Sequence, residues 1–178
     1  MKKITLLFIA LISLTTTTAQ IRVGKAILPY EESFEGVDLK LNGAGMRKVL
    51  WIDMYAGGLY LQNKSKDPKA ILDADETMAM KLNIVSGFVT QKKFIKAAKE
   101  GFYKATFGNT KPLDSRINKF IKFFSEPIVK NDIFDLVYVK DEGVIKAFKN
   151  GKALGTIKGR DFKYALFKIW LGEEPASE

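Results

Sequence analysis

Arginine is scarce in this chain. Only Arg22, Arg47, Arg116 and Arg160 interrupt a basic complement of 29 residues that is otherwise lysine. Arg47 stands apart, because it falls inside the largely apolar stretch Leu41–Leu61, LNGAGMRKVLWIDMYAGGLYL. A guanidinium is a planar fork that grips a carboxylate through two parallel hydrogen bonds, which an ammonium cannot reproduce. Gly43 and Gly45 precede it, and glycine permits backbone angles or close approaches that a side chain forbids. This places Arg47 at the mouth of a strand, set to bind an oxyanion or a carboxylate. A structural role is the alternative, with Arg47 pairing a strand-end carboxylate such as Asp53 or satisfying loop carbonyls.

The absences narrow the chemistry further. The chain has no cysteine and no histidine. That removes disulfides, thiol nucleophiles, the imidazole base of a Ser-His-Asp triad and any ordinary zinc site. No phosphate-binding loop, dinucleotide fingerprint or nucleic-acid motif is present. Catalysis would have to run on Arg, Lys, Tyr, Asp or Glu. No cofactor, metal or nucleic acid is expected.

The first 19 residues read as a secretory leader rather than as part of the fold. Lys2 and Lys3 precede the short apolar run Ile4–Leu14, and Thr15–Ala19 offers a small-residue cleavage tail. The run is too short to cross about 30 Å of hydrocarbon. The mature chain would start at Gln20, in the periplasm or outside the cell. Loss of Lys2 and Lys3 takes the formal charge from +9 to +7. Lysines such as Lys92, Lys93, Lys96, Lys99, Lys104, Lys119 and Lys122 read as solvated helix faces. Attraction to an anionic membrane surface is their second reading.

Residues 20–178 read as one domain of α+β class. Strands are expected at Ile21–Ile27, Leu39–Leu41, Lys48–Asp53, Tyr55–Leu61 and Thr77–Val85. The last alternates Met78, Met80, Leu82 and Ile84 on one side, as a half-buried strand does. Pro68–Asp73 reads as a short helix. Thr90 caps a helix over Gln91–Phe107, whose stripe is Phe94, Ala98, Phe102 and Ala105. Asp114 caps another, with Ile117, Phe120, Ile121 and Phe124 in register. Strands at Ile133–Val139, Val144–Lys149 and Ala153–Lys158 follow, the last two joined by the hairpin signal Asn150-Gly151. Asp161 caps a final helix bearing Phe162, Ala165, Leu166, Ile169 and Trp170, which Gly172 ends.

Two motifs carry a resemblance. The Gly-Ala-Gly-x-Arg turn at Gly43–Arg47, leading to Leu59-Tyr60-Leu61, resembles the N-terminal signature of the chalcone isomerase-like superfamily. The run Asn150–Pro175, NGKALGTIKGRDFKYALFKIWLGEEP, resembles its bacterial branch. The resemblance implies an open-faced sandwich, an antiparallel sheet with helices packed on one face. It also implies that Arg47 lies in the cleft between sheet and helices, where the family binds an oxyanion or a fatty-acid carboxylate.

Other positions depart from the family's isomerases. Their catalytic threonine falls at Tyr55, their helix tyrosine at Phe94 and their asparagine at Gly101. Phenylalanine and glycine can neither hold a catalytic water nor orient a phenolate. The flavanone-forming reaction is therefore not expected. What remains is an arginine at an apolar cleft walled by Met54, Phe94, Phe102 and Tyr103, with Tyr55 near its rim. That is the general form of an organic-acid site. The expected activity is non-catalytic binding of an amphipathic carboxylate such as a fatty acid, by a monomer. An intramolecular lyase or isomerase that uses Arg47 against an oxyanion is the alternative, and a cationic envelope-interaction module is another.

Overall fold

The computed structural model describes residues 19–176. The expected leader, apart from Ala19, lies outside the described residues. Among the described residues, nine strands and four α-helices follow one another as β1 (Gln20–Val23), β2 (Ala26–Pro29), β3 (Glu31–Phe34), β4 (Val37–Val49), β5 (Ile52–Leu61), α1 (Pro68–Asp73), β6 (Met78–Ile84), α2 (Gln91–Ala105), α3 (Asp114–Lys122), β7 (Ile133–Val139), β8 (Val144–Lys149), β9 (Lys152–Lys158) and α4 (Arg160–Leu171). Strands β3 to β9 form a seven-stranded antiparallel sheet in strict chain order. All four helices enter as insertions between strands or after the last one. They pack on one side of the sheet, as the α+β reading expects.

The helix-facing core runs from Tyr55, Leu59 and Leu61 through Met80, Leu82, Phe134 and Leu136 to Phe102, Phe120, Phe162 and Leu166. The opposite sheet face has its own apolar cluster, in which Leu28 packs on Leu39, Leu41, Tyr60, Ala79 and Val137. The β1–β2 hairpin supplies Leu28, so the second face is partly covered rather than open. Gly58 makes room for it: a Cβ there would sit 3.1 Å from Leu28 Cδ1 and 3.2 Å from the Tyr60 ring.

Several local expectations are revised. Ile21–Ile27 is not one strand, because Gly24, at φ +58°, turns the chain back into a hairpin. Lys48–Asp53 is not one strand either. Val49 pairs with Ile52, so Leu50 and Trp51 form a two-residue turn. Strand β6 is buried on both faces, since Ala79 and Lys81 lie under the β1–β3 side. Asp114 does not cap α3; a 3-10 turn at Lys111–Leu113 leads in, and Asp114 is the first helical residue. Asp161 is not the N-cap of α4, which falls at Gly159. It sits in the first turn of α4, and Arg116 donates to both of its oxygens at 2.6 and 2.5 Å.

Other signals hold. Thr90 accepts a hydrogen bond from Lys93 N at the start of α2. The helix expected at Pro68–Asp73 is α1, and Asp67 before it accepts from the amides of Lys69 and Ala70. Asn150 and Gly151 both take positive φ, +51° and +77°, as a type I′ hairpin requires.

Candidate functional site

Arg47 lies within β4, two residues before its end, rather than at a strand mouth. Gly43 stands in the same strand, just after a register shift between Leu41 and Gly43, and a Cβ there would meet nothing within 4 Å, so it admits no close neighbour. A bulge on β5 sets the direction of Arg47 instead. The pairing runs Arg47↔Tyr55 and then Lys48↔Asp53, which leaves Met54 as the extra residue. Such a bulge twists the ladder locally and re-aims the adjacent side chains. Directly paired residues share a face, so Arg47 stands beside Tyr55 on the helix side of the sheet.

Two adjoining spaces lie there. The outer cleft holds about 440 Å³ and is lined by Arg47, Met54, Tyr55, Phe88, Lys93 and Phe94, among others. This lies in the range of roughly 300–1,000 Å³ usual for small-molecule sites. An inner chamber of about 50 Å³ lies behind Arg47, Tyr55 and Phe94, walled by Leu82, Leu136, Leu166, Ile169 and Trp170. Its far wall is apolar. Arg47 and Tyr55 stand where the two spaces meet, while Lys93, Lys96 and Glu100 line the outer cleft alone.

Tyr55 is buried, at 8% exposure, and its hydroxyl accepts a hydrogen bond from Trp170 Nε1 at 3.0 Å. Burial raises the phenol pKa, while the Trp170 bond and the Arg47 charge act against that rise. The phenol therefore stays protonated near neutral pH and has its own O–H to donate. Arg47 is half-buried and makes no hydrogen bond or ion pair among the described residues. The structural alternative fails on this point, because Asp53 pairs with Lys48 at 3.7 Å instead. Arg116 and Arg160 show the contrast: one grips Asp161 and the other donates to the Asp73 carbonyl.

Of the residues expected in the site, Arg47, Met54, Tyr55 and Phe94 line it. Phe94 packs tilted against Phe124 at 4.9 Å and stacks on Phe134 at 5.4 Å, and its ring forms a wall of both spaces. Phe102 and Tyr103 are corrections. Phe102 is fully buried in the core, its ring 5.3 Å from Phe162 and 5.9 Å from Phe120. Tyr103, the next residue, points to solvent at 61% exposure. On a helix, adjacent residues diverge by about 100°, so the two could not share one wall. Trp170 is a site residue that the sequence does not reveal. Its place on the apolar face of α4 is legible, but its contact with Tyr55 spans 115 residues of chain.

Gly101 faces α4 rather than the cleft. A Cβ there would sit 2.9 Å from Ile169 Cγ2. The position therefore serves the crossing of α2 and α4.

With this geometry in place, the comparisons agree on a class. The chain belongs to the chalcone isomerase-like family, whose model matches residues 20–178. Among solved structures it is similar to a fatty-acid binding protein of Arabidopsis thaliana. The two share 21% sequence identity over 89% of this chain and 92% of that one, with a TM-score of 0.71. No curated protein sequence matches.

Proposed function

We propose that this protein is an exported, non-catalytic carrier of a long-chain carboxylate, with Arg47 and Tyr55 holding the head group. One observation carries the reading: a half-buried arginine without a partner among the described residues lines an apolar cleft beside a buried phenol. A desolvated cation left unpaired is costly, and a ligand carboxylate would supply the missing charge. The Arabidopsis thaliana relative is a fatty-acid binding protein, which supports the same ligand class. Export rests on the leader-like pattern of Lys2, Lys3 and the apolar run behind them. The tail would set affinity, since each buried methylene is worth about 0.8 kcal/mol. The head group would set orientation, a charge-assisted hydrogen bond adding about 1.5–3 kcal/mol.

The test is a titration with saturated fatty acids of increasing length. Affinity should rise with chain length, and Arg47→Ala should lower it by roughly tenfold to a hundredfold. Affinity that ignores chain length, or that survives loss of the guanidinium, refutes the carrier.

A second reading draws on the pairing of Arg47 with Tyr55. Two donors side by side could stabilise an oxyanion, which suits an intramolecular lyase or isomerase. Phe94 and Gly101 give that reaction no proton relay. An absorbance assay with chalcone should therefore show no turnover above buffer. Turnover abolished by Arg47→Ala would establish the enzyme instead.

A further inference from the structure

The outer cleft opens beside an apolar tip that the interior does not use. Leu50 and Trp51, the turn between β4 and β5, are 79% and 84% exposed. Phe88, on the loop before α2, is 61% exposed and lines the same cleft. Two-residue hairpin turns favour Gly, Asn or Asp, because positive φ is needed there. Leu50 holds φ +57° without that freedom. A branched apolar residue in this region is strained. The turn thus accepts backbone strain and exposed apolar area together, and neither benefits the folded domain.

The charge around the tip has one sign in excess. Arg47, Lys48, Lys93 and Lys96 surround the opening, against Asp53 and Glu100. The two ion pairs there, Lys48–Asp53 and Lys96–Glu100, are both 3.7 Å long between exposed side chains, so they hold the lysines weakly. The first turn of α2 carries Lys92 and Lys93 and no acidic residue. Cations at a helix N-terminus oppose the macrodipole. The lysines are therefore not placed there for helix stability.

We infer that the Leu50-Trp51 tip, with Phe88, docks on an anionic lipid bilayer and sets the mouth of the cleft against it. Exposed apolar side chains would enter the headgroup region, with tryptophan at the depth it favours in membranes. The lysines would meet lipid phosphates. The occupant rests on the carrier reading, since a long-chain carboxylate partitions into lipid and a cleft that opens on a bilayer can load from it. The structural chemistry of the tip does not depend on it.

The experiment is vesicle co-sedimentation of residues 20–178, the span that holds the whole sheet and all four helices. Phosphatidylcholine vesicles with and without phosphatidylglycerol are compared. The protein should sediment with the anionic vesicles, and added salt should release it. Trp51→Asn should lower the partition coefficient by about tenfold or more. Leu50→Gly should lower it too, yet raise the melting temperature, because glycine relieves the strained φ. Trp51 lines neither space, so Trp51→Asn should leave fatty-acid affinity in vesicle-free solution unchanged. Equal binding to neutral vesicles, or full binding by both variants, overturns the inference. So does a dimer in light scattering that Trp51→Asn dissociates, which would make the tip a contact between two copies. Docking without fatty-acid binding in solution would support the inference and refute only the carrier. Fatty-acid binding without docking would do the reverse.

Discussion

Trp170 Nε1 donates to Tyr55 Oη at 3.0 Å, joining the last helix to the strand that faces Arg47. The direction of this bond matters. Indole nitrogen is only a donor, so the phenol must accept from it and is left with its own proton to give. Tyr55 is thereby set as a second donor beside the guanidinium. Tyr55→Phe should weaken fatty-acid binding by about tenfold to a hundredfold, the worth of one hydrogen bond to a charged group. Trp170→Phe should cost less affinity, because it frees the phenol orientation without removing the donor. Calorimetric titration of both variants checks the order. A larger loss for Trp170→Phe than for Tyr55→Phe would mean that the tryptophan acts on the ligand directly.

Gly101 gives a second test, directed at the isomerase reaction. The family's isomerases place an asparagine there, but this glycine packs on Ile169. Gly101→Asn should therefore not create chalcone cyclisation. It should destabilise the protein by about 1–3 kcal/mol through overpacking at the α2–α4 crossing. Denaturant unfolding measures the stability change, and an absorbance assay checks the activity. An unchanged midpoint would show that Ile169 moves aside freely.

How much of this was legible in the sequence can be argued from single residues. Arg47 stood out because it is rare and its neighbours are apolar. The helix stripes were legible because a period of 3.6 survives any tertiary context. The turn at Leu50-Trp51 was hidden, since no Gly, Asn, Asp or Pro marks it and the run reads as continuous strand. The bulge at Met54 was hidden for the same reason. Trp170 could be placed on a face but not against Tyr55, because contact across 115 residues leaves no local trace. Two lysines misled in another way. Lysine reads as solvent-facing, yet Lys81 is buried between Asp135, at 2.7 Å, and Glu32, at 3.0 Å, and Lys163 is fully buried.

Lys163 carries a prediction for pH. Its ammonium donates to the carbonyls of Leu72 and Ala74 at 2.8 and 2.7 Å and more weakly to Ile71 at 3.4 Å, closing the C-terminal end of α1. Burial first, and repulsion from Arg160 second, push its pKa down from 10.5 to about 8, against the pull of Asp75, Asp73 and Glu76. The folded pKa is the lower one. Between about pH 8 and 10 the unfolded chain therefore binds more protons than the folded chain, and stability rises with pH. Above about pH 10 the trend should reverse. Tyr138, buried and donating to Asp75 at 2.7 Å, has its pKa raised to about 12, so unfolded tyrosine loses its proton first. Melting temperatures across this range should show a maximum on the alkaline side of neutrality. Lys163→Met should lose the rising limb and about 2–4 kcal/mol of stability, because the carbonyls are left unpaired. A flat profile in the parent protein would show that the carbonyls hold the charged form as well as water does.

The last prediction concerns the length of the ligand. Phe94 borders both the outer cleft and the inner chamber, which share Arg47, Tyr55 and Ala97 as well. Its ring is held by Phe124 and Phe134, so it is a fixed wall and not a swinging gate. Phe94→Ala should join the two spaces. The inner chamber is lined by Leu82, Leu136 and Leu166, which would take additional methylenes at about 0.8 kcal/mol each. The variant should therefore favour longer fatty acids than the parent does, although losing a partly buried ring should cost about 2–4 kcal/mol of stability. Phe94→Leu keeps most of the packing and should shift the preference less. Affinities measured across a series of chain lengths separate the outcomes. A uniform loss at every length would mean that Phe94 only supports the fold, whereas a crossover between parent and variant curves would locate the tail in the inner chamber.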